Sequence, residues 1–212
     1  MAEGIAGRPA TSGRRHVDRA DGRRFLLWEH TALQLWADGP LGAELTCYHD
    51  GEVYGALAFP GGRFLSWSED KTLRLWRSDG TPDGDPLRGH ESGVTGAVVL
   101  LDGGFLSWSK DKTLRLWRSD GLPAAEPLRG HRNPIEGALL LPDGRILSRE
   151  ERMICTWTSE GRLQRAIPFD APIMLCDGKT VVTARDGRLV VYDLHLDRAN
   201  ADDWDFGRRH EG

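Results

Sequence analysis

The stretch from Gly62 to His90 recurs from Gly103 to His131 with roughly 23 of 29 positions identical, and no other feature of this 212-residue chain limits its fold so strongly. The copies share FLSWSEDKTLRLWRSDG at Phe64–Gly80 and FLSWSKDKTLRLWRSDG at Phe105–Gly121, about 41 residues apart. Fainter versions flank them: FLLWEHTALQLW at Phe25–Trp36, ILSREERMICTW at Ile146–Trp157 and VVTARDGRLVVYD at Val181–Asp193. About five units of one supersecondary motif therefore run through the chain, and such units bury their apolar surface against their neighbours.

Within one unit the pattern predicts four short strands. Val94–Leu100 is followed by a turn at Asp102-Gly103-Gly104, a strand at Phe105–Ser109, a tight hairpin turn at Lys110–Lys112 and a strand at Thr113–Trp117. A polar link at Arg118–Ala125 leads to a last short strand ending near Gly130-His131. These strands are apolar on both sides, so each sheet is expected to cover both faces with neighbouring copies. Radial stacking of four-stranded antiparallel sheets is an all-β propeller of about five blades. The 26 glycines and 11 prolines suit its many turns, and the aligned Trp28, Trp67 and Trp108 suit packing between blades.

The order Gly89-His90, Ser109-Lys110-Asp111 and Trp117 resembles the WD-repeat family. The resemblance runs from about Asp21 to Asp197, is strongest in the two central copies and fades towards both ends. It implies that the Gly-His pair lies between the outer strand of one blade and the inner strand of the next. It further implies a hydrogen-bonded relay of His, Ser, Asp and Trp. Carried over, the relays are His49, Ser66 or Ser68, Asp70 and Trp76, then His90, Ser107 or Ser109, Asp111 and Trp117. A further copy keeps His131 and Trp157 but has Glu150 or Glu151 at the acidic position and Arg149 in place of the tryptophan, so its relay is expected to be incomplete. Strand parity agrees, since Ser66 and Ser68 share one face and Thr72, Arg74 and Trp76 share another. The family most often closes seven blades, more than this length supplies. A five-bladed ring, an open fragment or a homo-oligomer completing the propeller follows. Residues 1–20 read as a flexible arm able to donate a closing strand, 21–197 as the propeller and 198–212 as a flexible tail.

Charge and cysteine usage narrow the function. The 28 basic and 32 acidic residues give a net charge of −4, which disfavours general nucleic-acid binding. No apolar run reaches the roughly 20 residues of a membrane span. Cys47, Cys155 and Cys176 lack metal or redox spacing and read as reduced, buried thiols of a cytoplasmic protein. The seven histidines are scattered, so no metal or cofactor is expected. Histidine, serine and aspartate together invite a nucleophile, base and orienter, yet a catalytic set is needed once and these recur with the fold's period. Asp205-Phe206-Gly207 copies a kinase tripeptide without its companion motifs and is assigned no function. The expectation is a non-catalytic scaffold for protein or peptide partners. Its candidate contacts are Glu69, Lys71, Lys110, Lys112 and Glu150 around the second-to-third-strand turns. The rival reading is a propeller enzyme, or a small-molecule or sugar-binding propeller, with one central pocket. A third is a detached repeat module of a larger bacterial regulatory or defence protein.

Overall fold

Short runs of β-branched, aromatic and leucine residues between glycine-bearing turns fold as strands, each paired antiparallel with the next in sequence. The computed structural model describes the backbone of residues 16–19, 24–37, 43–59, 61–168, 174–176, 180–185 and 188–193, and the side chains of 26–35, 46–59 and 61–168. The first sheet contains β1 (His16–Arg19), β2 (Arg24–Glu29), β3 (Ala32–Ala37) and β4 (Ala43–Tyr48). The second contains β5 (Val53–Ala58), β6 (Phe64–Ser68) and β7 (Leu73–Trp76). Its fourth position is marked by the single bridges Trp76↔Pro82 and Leu73↔Leu87.

The third sheet contains β8 (Val94–Val99), β9 (Phe105–Ser109), β10 (Thr113–Trp117) and β11 (Leu128–Arg129). The fourth contains β12 (Gly137–Leu140), β13 (Ile146–Glu150), β14 (Met153–Trp157) and β15 (Leu163–Pro168). The fifth contains β16 (Met174–Cys176), β17 (Thr180–Arg185) and β18 (Arg188–Asp193). The expected fold class is the observed one: all-β, built of propeller blades. Among the described residues the sheets do not close into a ring. β1 pairs with β2 from His16↔Trp28 to Arg19↔Phe25, so the last residues of the expected N-terminal arm belong to the first sheet. The expected tail, 198–212, lies outside the described residues, as does the side chain of Cys176. No helix among the described residues is long and apolar enough to cross a membrane.

Alternation along each strand sends successive side chains into different seams. Phe64 and Trp76 pack with Leu26, Leu33, Leu35 and Val53 in the seam between the first and second sheets. Their neighbours Leu65 and Leu75 pack with Val94, Phe105 and Trp117 in the next seam. Leu106, Leu114 and Leu116 then meet Ile135, Ile146 and Trp157 in the third. The inner strands follow the same order, β5 against β1, β8 against β5 and β12 against β8. A turn glycine closes the second and third seams. Gly121 has φ +86°, and a Cβ there would stand 2.8 Å from Leu87 of the preceding sheet. Gly161, with φ +82°, meets Leu128 in the same way at 2.9 Å. Both the left-handed backbone and the close approach therefore demand glycine.

Candidate functional site

The connection leaving each of the first three sheets delivers a histidine to the sheet that follows. In the first seam Trp76 Nε1 donates to Ser66 Oγ at 2.9 Å, and His49 Nε2 lies 2.7 Å from the same hydroxyl. His49 Nδ1 lies 2.8 Å from Asp70 Oδ2. A carboxylate only accepts, so Nδ1 carries the proton and Nε2 accepts from the serine hydroxyl. The second seam repeats this: Trp117 to Ser107 at 2.9 Å, Ser107 to His90 at 2.8 Å and His90 to Asp111 at 2.8 Å. The aspartates also grip the backbone. Asp70 accepts from the Asp50 and Thr72 amides, and Asp111 from those of Glu91 and Thr113. Thr72 and Thr113 add hydroxyl bonds to the same carboxylates at 2.6 and 2.7 Å, a contribution that sequence reasoning missed.

Of the paired serine candidates, Ser66 and Ser107 occupy the relay. Ser68 and Ser109 instead accept the Asp70 and Asp111 amides, each at 3.0 Å. Burial pushes the pKa of His49 below its ordinary value, despite the opposing pull of Asp70. Burial opposes ionisation of Asp70 and Asp111 too. There the hydrogen bonds from Thr72 and His49, and from His90 and Thr113, prevail and hold both carboxyls below the usual range. Ser66, Ser107 and Ser148 are wholly buried, with their hydroxyls already bonded on both sides, so they present no nucleophile to solvent.

The third seam corrects one expectation and keeps another. Glu150, expected among the surface contacts, is only 2 % exposed, and the relay there lacks the histidine–acid bond of the other two. Trp157 donates to Ser148 at 2.7 Å, and His131 Nε2 meets the same hydroxyl at 2.7 Å. Glu150 Oε2 accepts from the backbone amides of Arg132 at 2.9 Å and Asn133 at 2.5 Å. It stands 3.6 Å from His131 Nδ1, beyond hydrogen-bond reach. The physical reason is length: the extra methylene lets a residue on the strand, rather than on the turn, clamp the loop that enters the sheet. Cys155 occupies the position opposite Ser148 that Arg74 holds opposite Ser66. Burial pushes its thiol up to about 12. Cys155 and Cys47 are both free.

The other candidate contacts gather on the face of the hairpin turns. Lys110 Nζ reaches back across the seam to Glu69 Oε2 and to Tyr54 Oη, both at 2.8 Å, and lies 4.8 Å from the centre of the Tyr54 ring. Tyr54 also donates to Glu69. Hydrogen bonding to Glu69 raises the pKa of Lys110, and the same bond lowers that of Glu69. Lys110, one of the candidate contacts, is thus half-buried against the preceding sheet. Lys71 and Lys112 are exposed at the hairpin tips with φ +70° and +69°. Among the described residues no group of three or more His, Cys, Asp or Glu side chains is placed to hold a metal ion.

The family described as WD domain, G-beta repeat matches residues 84–118, which hold His90, Ser107, Asp111 and Trp117 of the second seam. The chain carries a WD40 repeat. Two solved structures extend that finding to the fold. The computationally designed Ika8 protein is 22% identical with a TM-score of 0.67, over 84% of this chain and 57% of that one. The WD40 beta propeller domain of Doa1 is 23% identical with a TM-score of 0.64, over 86% of this chain and 66% of that one. The chain thus spans less than two thirds of either propeller's length. No curated protein matches the sequence.

Proposed function

We propose that this WD40 chain is a non-catalytic scaffold that presents its hairpin-turn face to a protein or peptide partner. The observation that carries this reading is a division of labour between adjacent residues. In each central copy the aspartate of the hairpin turn is consumed by the relay, while the lysine after it stands exposed in a fixed left-handed conformation. A contact residue held on a rigid turn loses little entropy on binding. The free, buried thiols Cys47 and Cys155 support a reducing, cytoplasmic setting.

The test is quantitative affinity enrichment from the source cell, comparing the parent with K71E/K112E at matched thermal stability. A protein enriched by the parent and lost by the charge-reversed variant supports the reading. Equal enrichment by both moves the interface to another face. A small molecule retained in native mass spectrometry, with no enriched protein, favours a ligand-binding propeller instead.

A further inference from the structure

The second and third sheets carry the same arginine in the middle of the third strand, but its charge is met in only one of them. Arg74 of β7 donates to Asp50 Oδ2 at 3.2 Å and stands 4.0 Å from Asp70. Arg115 of β10 donates instead to the backbone oxygen of Gly89 at 2.6 Å. Gly89, with φ +145°, leaves room for this: a Cβ there would stand 2.7 Å from Arg115 Nη1. The matching residue of the preceding seam is Tyr48. Glu91, which takes the place of Asp50, joins no ion pair among the described residues. Arg115 also has a neighbour of like charge. β11 pairs Arg129 with Thr113, so Arg129 and Arg115 share one face of the sheet and lie diagonally across adjacent strands. Diagonal Cβ atoms are about 7 Å apart, which lets two arginine side chains converge on one group. The incoming loop meets the same face, since Thr113 Oγ1 lies 3.4 Å from His90 Nδ1. Arg129 is exposed and, like Arg115, joins no ion pair among the described residues. Two arginines against the single Glu91 leave a positive charge unmatched on the outer wall of the second seam.

We infer that Arg115 and Arg129 form a binding site for a phosphate-type oxyanion. A carboxylate has two oxygens and is filled by one guanidinium fork, whereas a tetrahedral phosphate has oxygens enough for a fork from each strand. The bond to Gly89 fixes the Arg115 guanidinium before any ligand arrives, so little side-chain entropy is lost on binding. In the twin seam Asp50 already fills that role for Arg74, which leaves the second seam as the receptive one. The site lies on the outer wall of the seam, formed by β10 and β11, and does not depend on the scaffold reading, which concerns the hairpin tips.

Two probes test it, inorganic phosphate and the peptide Gly-Gly-phosphoserine-Gly-Gly, each titrated into the full chain at fixed ionic strength and followed by proton–nitrogen correlation NMR. Saturable shifts are expected at the amides of Gly89, His90, Arg129 and Gly130. R115Q and R129Q should each weaken binding about tenfold, while R74Q, which removes an arginine already paired, should leave it unchanged. Arg129 makes no hydrogen bond or ion pair among the described residues, so a loss in R129Q reports binding rather than unfolding. Tighter binding of the peptide would identify the ligand as a phosphorylated partner segment, and tighter binding of inorganic phosphate as a free anion; both uphold the site. It is overturned by the absence of saturable shifts with either probe, by parent-like affinity in R129Q, or by shifts of equal size around Arg74.

Discussion

The first two seams and the third solve one problem with different residues. All three use a buried serine as the hub between a tryptophan N–H and a histidine ring. In the first two, one aspartate both fixes the histidine and clamps the incoming loop. In the third, Glu150 keeps only the clamp, and His131 Nδ1 has Cys155 Sγ at 3.9 Å as its neighbour. The relay therefore separates into a hub and a clamp that one aspartate happens to unite.

The hub should matter most. Ser107→Ala removes the partner of both Trp117 Nε1 and His90 Nε2 in a buried seam, and is expected to cost about 3 kcal/mol in denaturant melts. A loss below about 1 kcal/mol would show that water replaces the hydroxyl. Asp111→Ala strips both functions from its seam and should cost about 2–3 kcal/mol. Glu150→Gln, which keeps an acceptor for the clamp, should cost about 1 kcal/mol. Equal costs would mean that hub and clamp are not separable.

Acid sharpens the same contrast. Burial holds His49 and His131 below the ordinary value of 6.5, so the unfolded chain takes up protons first as pH falls. Their contribution is complete above about pH 6.5 and declines below it. A second decline follows below about pH 3.8 as Asp70 and Asp111, whose folded values are lowered, lose their charge advantage. Stability measured against denaturant from pH 7 to 5 should therefore fall; a flat or rising profile contradicts the neutral-histidine relay. The smallest effect is expected at Lys110→Ala. Its ion pair with Glu69 joins side chains 39% and 46% exposed, and removing it should change stability by under about 1 kcal/mol. A larger loss would make the cross-seam cluster with Tyr54 a structural element equal to the clamp.

Periodicity made the sheets and two seams legible, because the fold needs the same residues at the same interval. Choosing between Ser66 and Ser68 was beyond parity, since both lie on one strand face. Glu150 was misread for a geometric reason: Ser66 to Trp76 spans ten residues but Ser148 to Trp157 only nine. The shortened hairpin moves the acid from the turn onto the strand, into the position of Ser68. Tyr54 was missed because it lies on an inner strand, where its counterpart is Thr95 and no repeat announces it.

Each relay histidine belongs to the connection leaving one sheet, while its serine, acid and tryptophan belong to the next. A seam therefore cannot lock until the following hairpin has formed, so synthesis from the N-terminus would fasten the molecule in steps of one repeat. Tension applied from the C-terminal side would meet these fasteners in series: His131 gives way before His90, and His90 before His49. The chain is built to unzip in the reverse of the order in which it was made.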